Sequence, residues 1–300
     1  MVKKYIDLVL ETRKALLQQE DMEIADMWAK HLIAHVSGKS VHSLLLDRDA
    51  YADDTVIREV QKGLDRLLAG EPLAYVLGEW EFYGLKLMVS PDVLIPRDDT
   101  VAVASLAISQ GLFLDKDPRI LDLCCGSGCI GLAVASRVKD AKVTLADISP
   151  KALAVAKENV ALNKLSGRVR CVAADALKPA FPFLGKFDMI VSNPPYITGQ
   201  EMQELPKSVA DYEPHLALYG GEDGLDFYRS IAKNFASALK PGGYLAFEFG
   251  DTQADAVCAI LEENGYTILE RKRDFNDIER AVLAQYGRKD ENYGNEKGCL

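Results

Sequence analysis

The stretch Ile120-Leu-Asp-Leu-Cys-Cys-Gly-Ser-Gly-Cys-Ile-Gly131 joins a short apolar run to a glycine-rich turn and then to a second apolar run. This order predicts a buried strand over 120–124 that turns sharply into a helix over 130–138. Glycine lets the backbone of such a turn approach a ligand closely, and the helix N-terminus presents free N–H groups. The stretch therefore predicts the opening strand, turn and helix of a ligand-binding α/β sheet.

The chain after this stretch alternates between strand and helix patterns. Further strands are predicted at 143–146, 169–173, 189–192, 244–249, 267–272 and 279–286, and helices at 150–162, 225–239 and 252–263. Ser149 followed by Pro150 is a typical N-cap and first-turn pair for the helix at 150–162. The alternation predicts an α/β fold with a largely parallel sheet and helices on both faces.

The chain before this stretch has a different pattern. Residues up to 73 carry helical periodicity, including an apolar stripe of Ile24, Met27, Trp28, His31, Leu32 and His35. Alternating apolar and aromatic residues with glycine punctuation then indicate a β-hairpin. We therefore predict a helical domain over 1–73, a hairpin connector over 74–95, an α/β domain over 96–287 and a polar tail over 288–300.

The charge and hydropathy of the chain exclude several classes of partner. The 300 residues contain 35 Lys and Arg against 45 Asp and Glu, a net charge of −10, and residues 1–75 are acidic as well. Broad phosphate contact requires clustered basic residues, so we expect no direct nucleic-acid partner. No apolar run approaches the roughly 18 residues of a membrane span, and Asp7 and Glu11 interrupt any signal-like core near the start. We expect no membrane partner and a cytoplasmic location.

The six cysteines do not form a disulfide or metal pattern. Cys124, Cys125 and Cys129 share one loop, the other three are scattered, and no C-x-x-C pair occurs. This usage favours a reducing compartment, and the spacing does not suit a metal cluster. We therefore predict no metal.

Acidic residues at two further strand ends complete a candidate cofactor site with the glycine turn. Asp147 ends the second strand about 20 residues after the glycines, where a carboxylate accepts hydrogen bonds from ribose hydroxyls. Asp175 follows the third strand and could face an adenine amino group. Gly126, Gly128 and Gly131 also match G-x-G-x-x-G, so the glycines alone leave a nicotinamide dinucleotide open.

The fourth strand leads directly into Asn193-Pro-Pro-Tyr196. The side-chain oxygen of Asn193 and the carbonyl of Pro194, held rigid by the proline pair, provide two acceptors for a planar NH2 group. Tyr196 offers a ring face on which that group can stack. Such a site suits methylation of a conjugated nitrogen, because acceptors on both N–H bonds position and polarise a weak nucleophile.

These motifs resemble the class I S-adenosylmethionine-dependent methyltransferases with an N-P-P-Y motif, and within them the HemK/PrmC family of protein-(glutamine-N5) methyltransferases. The resemblance extends over nearly the whole chain. It includes Ala34-His-Val-Ser-Gly-Lys39, Gly78-Glu-Trp-Glu-Phe82, Ile95-Pro-Arg-Asp-Asp-Thr100, Tyr212-Glu-Pro214, Gly221-Glu-Asp-Gly-Leu-Asp-Phe-Tyr228 and Pro241-Gly-Gly243.

The resemblance implies a fold, a reaction and a role for particular residues. The fold would be a class I methyltransferase (Rossmann-like) sheet with a small amino-terminal helical bundle that recognises class 1 peptide-chain release factors. The reaction would methylate the glutamine of their GGQ motif and leave S-adenosyl-L-homocysteine, with Asn193 and Tyr196 catalytic and Pro194 and Pro195 completing the substrate site. The implied cofactor contacts are Cys124, Cys125, Gly126, Ser127, Gly128, Asp147, Asp175, Ala176 and Asn193. Pro96 and Arg97 would begin a segment that covers the cofactor.

Three positions depart from the family pattern. Cys124 stands where the family usually has glycine, Ala176-Leu177 replace the frequent aromatic after the acidic residue, and Asp98-Asp99 replace a Pro-Glu pair. None of these changes removes the chemistry.

Three other functions remain as alternatives. A related glutamine methyltransferase that acts on a ribosomal protein shares the chemistry. An adenine-N6 nucleic-acid methyltransferase shares the N-P-P-Y motif, although base extraction requires phosphate contacts that an acidic helical domain does not favour. The third is a regulatory protein that binds the cofactor but is inactive. The intact Asn193 and Tyr196 argue against it.

Overall fold

The amino-terminal part of the chain is a helical bundle in the computed structural model, which describes residues 3–287. Its elements are β1 (Lys3–Lys4), α1 (Tyr5–Leu16), α2 (Met22–Val36), α3 (Val41–Leu46), β2 (Tyr51–Ala52), α4 (Asp54–Leu68) and α5 (Leu73–Leu77). Leu16, Leu32, Ile33, Leu44 and Leu67 lie in one apolar core. The bundle therefore has its own hydrophobic centre. The predicted tail over 288–300 lies outside the described residues.

The buried face of α2 differs from the predicted apolar stripe. Ala25, Ala29, Leu32 and Ile33 are buried, whereas Met27 is exposed. A Cβ atom added at Gly63 of α4 would lie 2.5 Å from Leu32 Cδ1, so the two helices approach closely. The stripe prediction was right for Leu32 and for Trp28, which packs against this core, and wrong for Met27, His31 and His35, which are exposed.

The predicted connector over 74–95 is a hairpin for only part of its length. Its two antiparallel strands are β3 (Glu79–Phe82) and β4 (Leu85–Met88), with Glu79 opposite Met88. The residues before them belong to α5, because Leu73, Ala74 and Tyr75 bury one side of a short helix that begins after Pro72. The residues after β4 are irregular and run over the carboxyl edge of the main sheet.

The main sheet has seven strands with helices on both faces. Its strands and helices, in chain order, are α6 (Val101–Leu112), β5 (Arg119–Leu123), α7 (Cys129–Arg137), β6 (Lys142–Asp147), α8 (Pro150–Leu162), β7 (Val169–Ala173), β8 (Phe187–Ser192), α9 (Lys207–Ala210), α10 (Asp226–Asn234), β9 (Leu239–Glu248), α11 (Ala254–Glu263), β10 (Tyr266–Arg273) and β11 (Glu279–Tyr286). The strand order is β10-β11-β9-β8-β5-β6-β7, and β11 runs antiparallel to both of its neighbours. The chain reverses its direction of progress across the sheet between β5 and β8. In open α/β sheets, ligands bind at the carboxyl ends of the strands beside such a reversal.

Two apolar cores cover the faces of the sheet. One contains side chains of α6, α7 and α8 together with Phe82 and Leu87 of the hairpin, and the other contains those of α10 and α11. The hairpin is therefore packed against the sheet domain rather than standing free. No helix within residues 3–287 is long and apolar enough to cross a membrane.

The prediction for 225–249 was wrong at one boundary. The helix ends at Asn234 instead of 239, and β9 begins at Leu239 instead of 244. Pro241, Gly242 and Gly243 lie inside β9, where the pairing with β8 shifts between Phe187–Leu239 and Met189–Tyr244. A bulge at Gly242, whose φ is +73°, accommodates within the strand a sequence that is typical of a turn.

Candidate active site

The glycine loop between β5 and α7 forms the floor of a cleft at the carboxyl edge of the sheet. Cys124, Gly126 and Gly128 all have positive φ, which turns the chain sharply and starts α7. A Cβ atom at Gly131 would lie 2.4 Å from Leu145 Cδ2, so a larger residue would force the side chains between this helix and β6 to shift. The amide of Gly131 also donates to Asp122 Oδ2 at 2.7 Å. These contacts hold the loop close against the strand ends.

Asp147 at the end of β6 is fixed by backbone amides. Its Oδ2 accepts from Gly126 N and its Oδ1 from Ser149 N, both at 2.9 Å. Burial raises its pKa, while these hydrogen bonds act in the opposite direction. Each carboxylate oxygen keeps a second lone pair, and the residue lines the cleft. It is therefore a preorganised acceptor for hydroxyl groups.

The cleft has a volume of about 1010 Å³, with open solvent at its mouth included. The predicted cofactor residues that line it are Cys124, Cys125, Gly126, Ser127, Asp147, Asp175, Ala176 and Asn193. Gly128 does not line the cleft and lies behind it, against Leu145 Cδ1. Aliphatic Ile148 and Leu177 also line the cleft, and Leu177 belongs to the Ala176-Leu177 pair that replaces the aromatic frequent in the family.

Two segments, 92–97 and 212–217, lie over the cleft, and we call them the roof. The buried carboxylate of Glu213 joins them, because it pairs with Arg97 and accepts from the amide of Ile95 at 3.2 Å. The roof also reaches the helical bundle, since the hydroxyl of Tyr212 donates to Ala69 O at 2.9 Å. Sequence reasoning identified Arg97 in the covering segment but not its partner Glu213.

Asn193 and Pro195 line the cleft directly after β8, while Pro194 is buried in the loop behind them. The Nδ2 group of Asn193 donates to Thr100 Oγ1 at 3.4 Å, which leaves the Oδ1 atom as an acceptor. Within residues 3–287 no group donates to the carbonyl of Pro194. Tyr196 does not line the cleft, and a Cβ atom added at Gly250 would lie 3.4 Å from its Cδ2 atom.

Glu248 was missed by sequence reasoning. It ends β9 beside Asn193, because Ser192 pairs with Phe247 one position earlier, and its side chain is 1% exposed. Burial raises its pKa to about 8, while hydrogen bonds from Thr100 and Asn193 act to lower it. Its Oε2 atom has no hydrogen-bond partner among the described residues. The available signal was an acidic residue in the otherwise apolar run 244–249.

Three acids line the cleft, Asp92, Asp147 and Asp175, and two buried acids, Asp122 and Glu248, lie outside its lining next to residues that form it. Burial raises the pKa of Asp122 to about 7, and neither Asp122 nor Asp147 forms an ion pair within the described part of the chain. Buried carboxyl groups without a cation favour a positively charged ligand, since it would relieve the cost of ionising them. The described residues contain no group of three or more potential metal ligands, and their five cysteines are free.

The strand order, with one antiparallel strand beside β9, is that of the class I methyltransferases. Residues 98–211 match the methyltransferase small domain, and residues 9–78 match the PrmC N-terminal domain. A methyltransferase from Pyrococcus furiosus has the same fold, with a TM-score of 0.51 and 19% identity over 76% of this chain and all of that chain.

Two curated relatives narrow this class to one family. A release factor glutamine methyltransferase of Clostridium acetobutylicum is 38% identical over 256 residues, which cover 85% of this chain and 90% of the relative. Another from Geobacter sulfurreducens is 34% identical and covers 93% and 96%. The chain belongs to the release factor glutamine methyltransferase family.

Proposed function

We propose that the chain transfers a methyl group from S-adenosyl-L-methionine to the side-chain amide nitrogen of the glutamine in the GGQ motif of class 1 release factors. The observation that carries this proposal is the loop 193–196, which follows β8 at the reversal point of the sheet and places Asn193, with a free Oδ1 acceptor, in the wall of the cleft. Family membership supports the same reaction. Neither feature favours a nucleic-acid substrate.

The residues of the cleft fit the cofactor. We assign Asp147 to the ribose hydroxyls, because its carboxylate is held by two amides and lines the cleft. Asp175 and Ala176 follow β7 at the edge where the adenine would lie, between the aliphatic side chains of Ile148 and Leu177. S-adenosylmethionine supplies, when bound, a methyl group on a positively charged sulfur, which the buried acids favour.

The loop after β8 prepares the substrate nitrogen. Asn193 Oδ1 and the Pro194 carbonyl would each accept one N–H of the glutamine amide, which fixes its plane and aims the nitrogen at the cleft. The nitrogen would gain positive character as it takes the methyl group from the sulfur, these oxygens would stabilise that charge, and one N–H proton would then pass to solvent. Burial raises the pKa of Tyr196 well above its usual range, so this phenol stays neutral and serves as a ring surface.

The helical bundle over 1–73 is the part that we assign to release-factor recognition. It is acidic, and its surface exposes Leu10, Leu45 and Leu46, which suits a protein partner better than a phosphate backbone. The five free cysteines agree with a cytoplasmic location. An intact release factor should therefore show a lower KM than a short peptide that contains the GGQ sequence.

The test is methylation of a purified release factor with labelled cofactor, followed by mass mapping of the modified residue. We expect one methyl group on the GGQ glutamine, and Asn193→Ala should reduce single-turnover rates by about 10²–10³ at saturating cofactor. Asn264→Ala, which removes an asparagine hydrogen bond at the end of α11, is the matched control. A label on another residue or on an adenine, or near wild-type turnover in Asn193→Ala, would refute the proposal.

A further inference from the structure

The turn after β9 carries a buried glutamine that contacts the backbone of the 193–196 loop. Gln253 is 9% exposed. Its Nε2 group donates to Tyr196 O at 3.0 Å and to Gly224 O at 3.4 Å, and its Oε1 atom accepts from Gly250 N at 3.0 Å. One side-chain amide thus joins three loops that are far apart in the sequence.

Three glycines, Gly220, Gly224 and Gly250, lie close to Tyr196. A Cβ atom at Gly220 would lie 2.6 Å from Tyr196 Cα, and one at Gly224 would lie 2.3 Å from Tyr196 O. At Gly250 the same addition would come within 3.4 Å of Tyr196 Cδ2. Backbone therefore packs directly on Tyr196, and no neighbouring side chain at these three positions wedges the loop in place.

The prolines alone do not determine where Tyr196 points. Pro194 and Pro195 have fixed φ angles, but rotation about ψ of Pro195 and both dihedrals of Tyr196 remain open to the chain. The hydrogen bond from Gln253 to Tyr196 O, together with the bond from Ile197 N to Leu218 O at 2.9 Å, removes that freedom.

We propose that Gln253 is a positioning residue for methyl transfer, which holds the Tyr196 carbonyl so that the 193–196 loop keeps the acceptors at 193–194 in place for the substrate amide. This inference rests on the proposed function of the loop. Gln253 does not line the cleft. Its effect is therefore on the geometry of the loop that holds the substrate amide and not on the binding of the cofactor.

The test uses Gln253→Glu in the full-length protein. The carboxylate keeps an acceptor for Gly250 N, but it cannot donate to Tyr196 O. Single-turnover methylation of release factor at saturating cofactor should fall by about 10- to 100-fold, the effect of small misplacements of reacting groups. Cofactor affinity measured by calorimetry should stay within about twofold. At low pH the protonated carboxyl regains one donor, so the ratio of variant to wild-type rate should rise as pH falls.

Gln285→Glu is the matched control. The Nε2 group of Gln285 also donates to a glycine carbonyl, Gly242 O at 2.8 Å, but it does so at the opposite end of β9 from Glu248. The rate at which Gln285→Glu methylates release factor should stay within about twofold of wild type. If Gln253→Glu turns over like the wild type, or loses no more activity than Gln285→Glu, the positioning role is refuted.

A second measurement is independent of the substrate. Hydrogen exchange followed by mass spectrometry should show faster exchange for peptides that cover 193–198 in Gln253→Glu than in wild type or Gln285→Glu. Unchanged exchange would overturn the inference even if activity fell. A wild-type protein that leaves release factor unmethylated would instead refute the proposed function, while the exchange result would still decide whether Gln253 anchors the loop.

Discussion

Glu248→Gln should make the protein more stable at alkaline pH while slowing the enzyme. The pKa of this buried carboxyl is about 8 in the folded protein and 4.5 in its reference state. Because the folded pKa is raised, the stability that this group contributes is complete below pH 4.5 and is lost as pH rises through 8. At about 1.4 kcal/mol per pH unit, the loss is about 3 kcal/mol by pH 7 and about 5 kcal/mol above pH 8. Glutamine stays neutral and escapes this loss.

The assay is urea unfolding of both proteins from pH 5 to pH 9. The free energy of unfolding of Glu248→Gln, minus that of wild type, should rise by several kcal/mol across this range. The other titrating groups cancel in the difference. Glu263→Gln, at an exposed position on α11, is the control and should give a flat difference. A flat curve for Glu248→Gln would show that burial does not penalise this charge. Turnover of Glu248→Gln should fall because the new glutamine can turn its NH2 group toward Asn193. The amide of Asn193 would then flip, so that its Oδ1 atom faces the new glutamine and not the substrate.

Two further predictions concern the cofactor. Asp147→Ala should weaken the binding of both S-adenosylmethionine and S-adenosylhomocysteine by roughly 1.5–3 kcal/mol, since it removes a charged acceptor. Unchanged affinities in calorimetry would mean that the ribose lies elsewhere. The affinity for S-adenosylmethionine should tighten as pH rises past about 7–8, where Asp122 and Glu248 ionise. S-adenosylhomocysteine lacks the sulfonium charge and should respond less, so parallel pH curves for the two ligands would contradict an electrostatic role for these acids.

Local patterns in the sequence were sufficient for the sheet and for one side of the site. The glycine loop, Asp147 and the 193–196 loop each follow a strand, and parallel strands bring their carboxyl ends to one edge. The helix α8 and its Ser149 cap were predicted with correct bounds. Glu248 and Gln253 escaped prediction because their contacts with the 193–196 loop join residues more than 50 positions apart in the sequence. The boundary of β9 failed because a bulge accommodates a sequence that is typical of a turn.

The two sides of the cleft differ in how firmly they are anchored. β5 and β8 are interior strands with hydrogen-bonded neighbours on both sides, whereas the roof is largely irregular chain held by Glu213. Opening free energies in a protein range from near zero in such segments to the full unfolding free energy in central strands. Ligand exchange can therefore proceed by a brief local opening of the roof. The 193–196 loop instead follows an interior strand and is bonded to Gln253, so under the proposed function its geometry would not have to be rebuilt at each turnover.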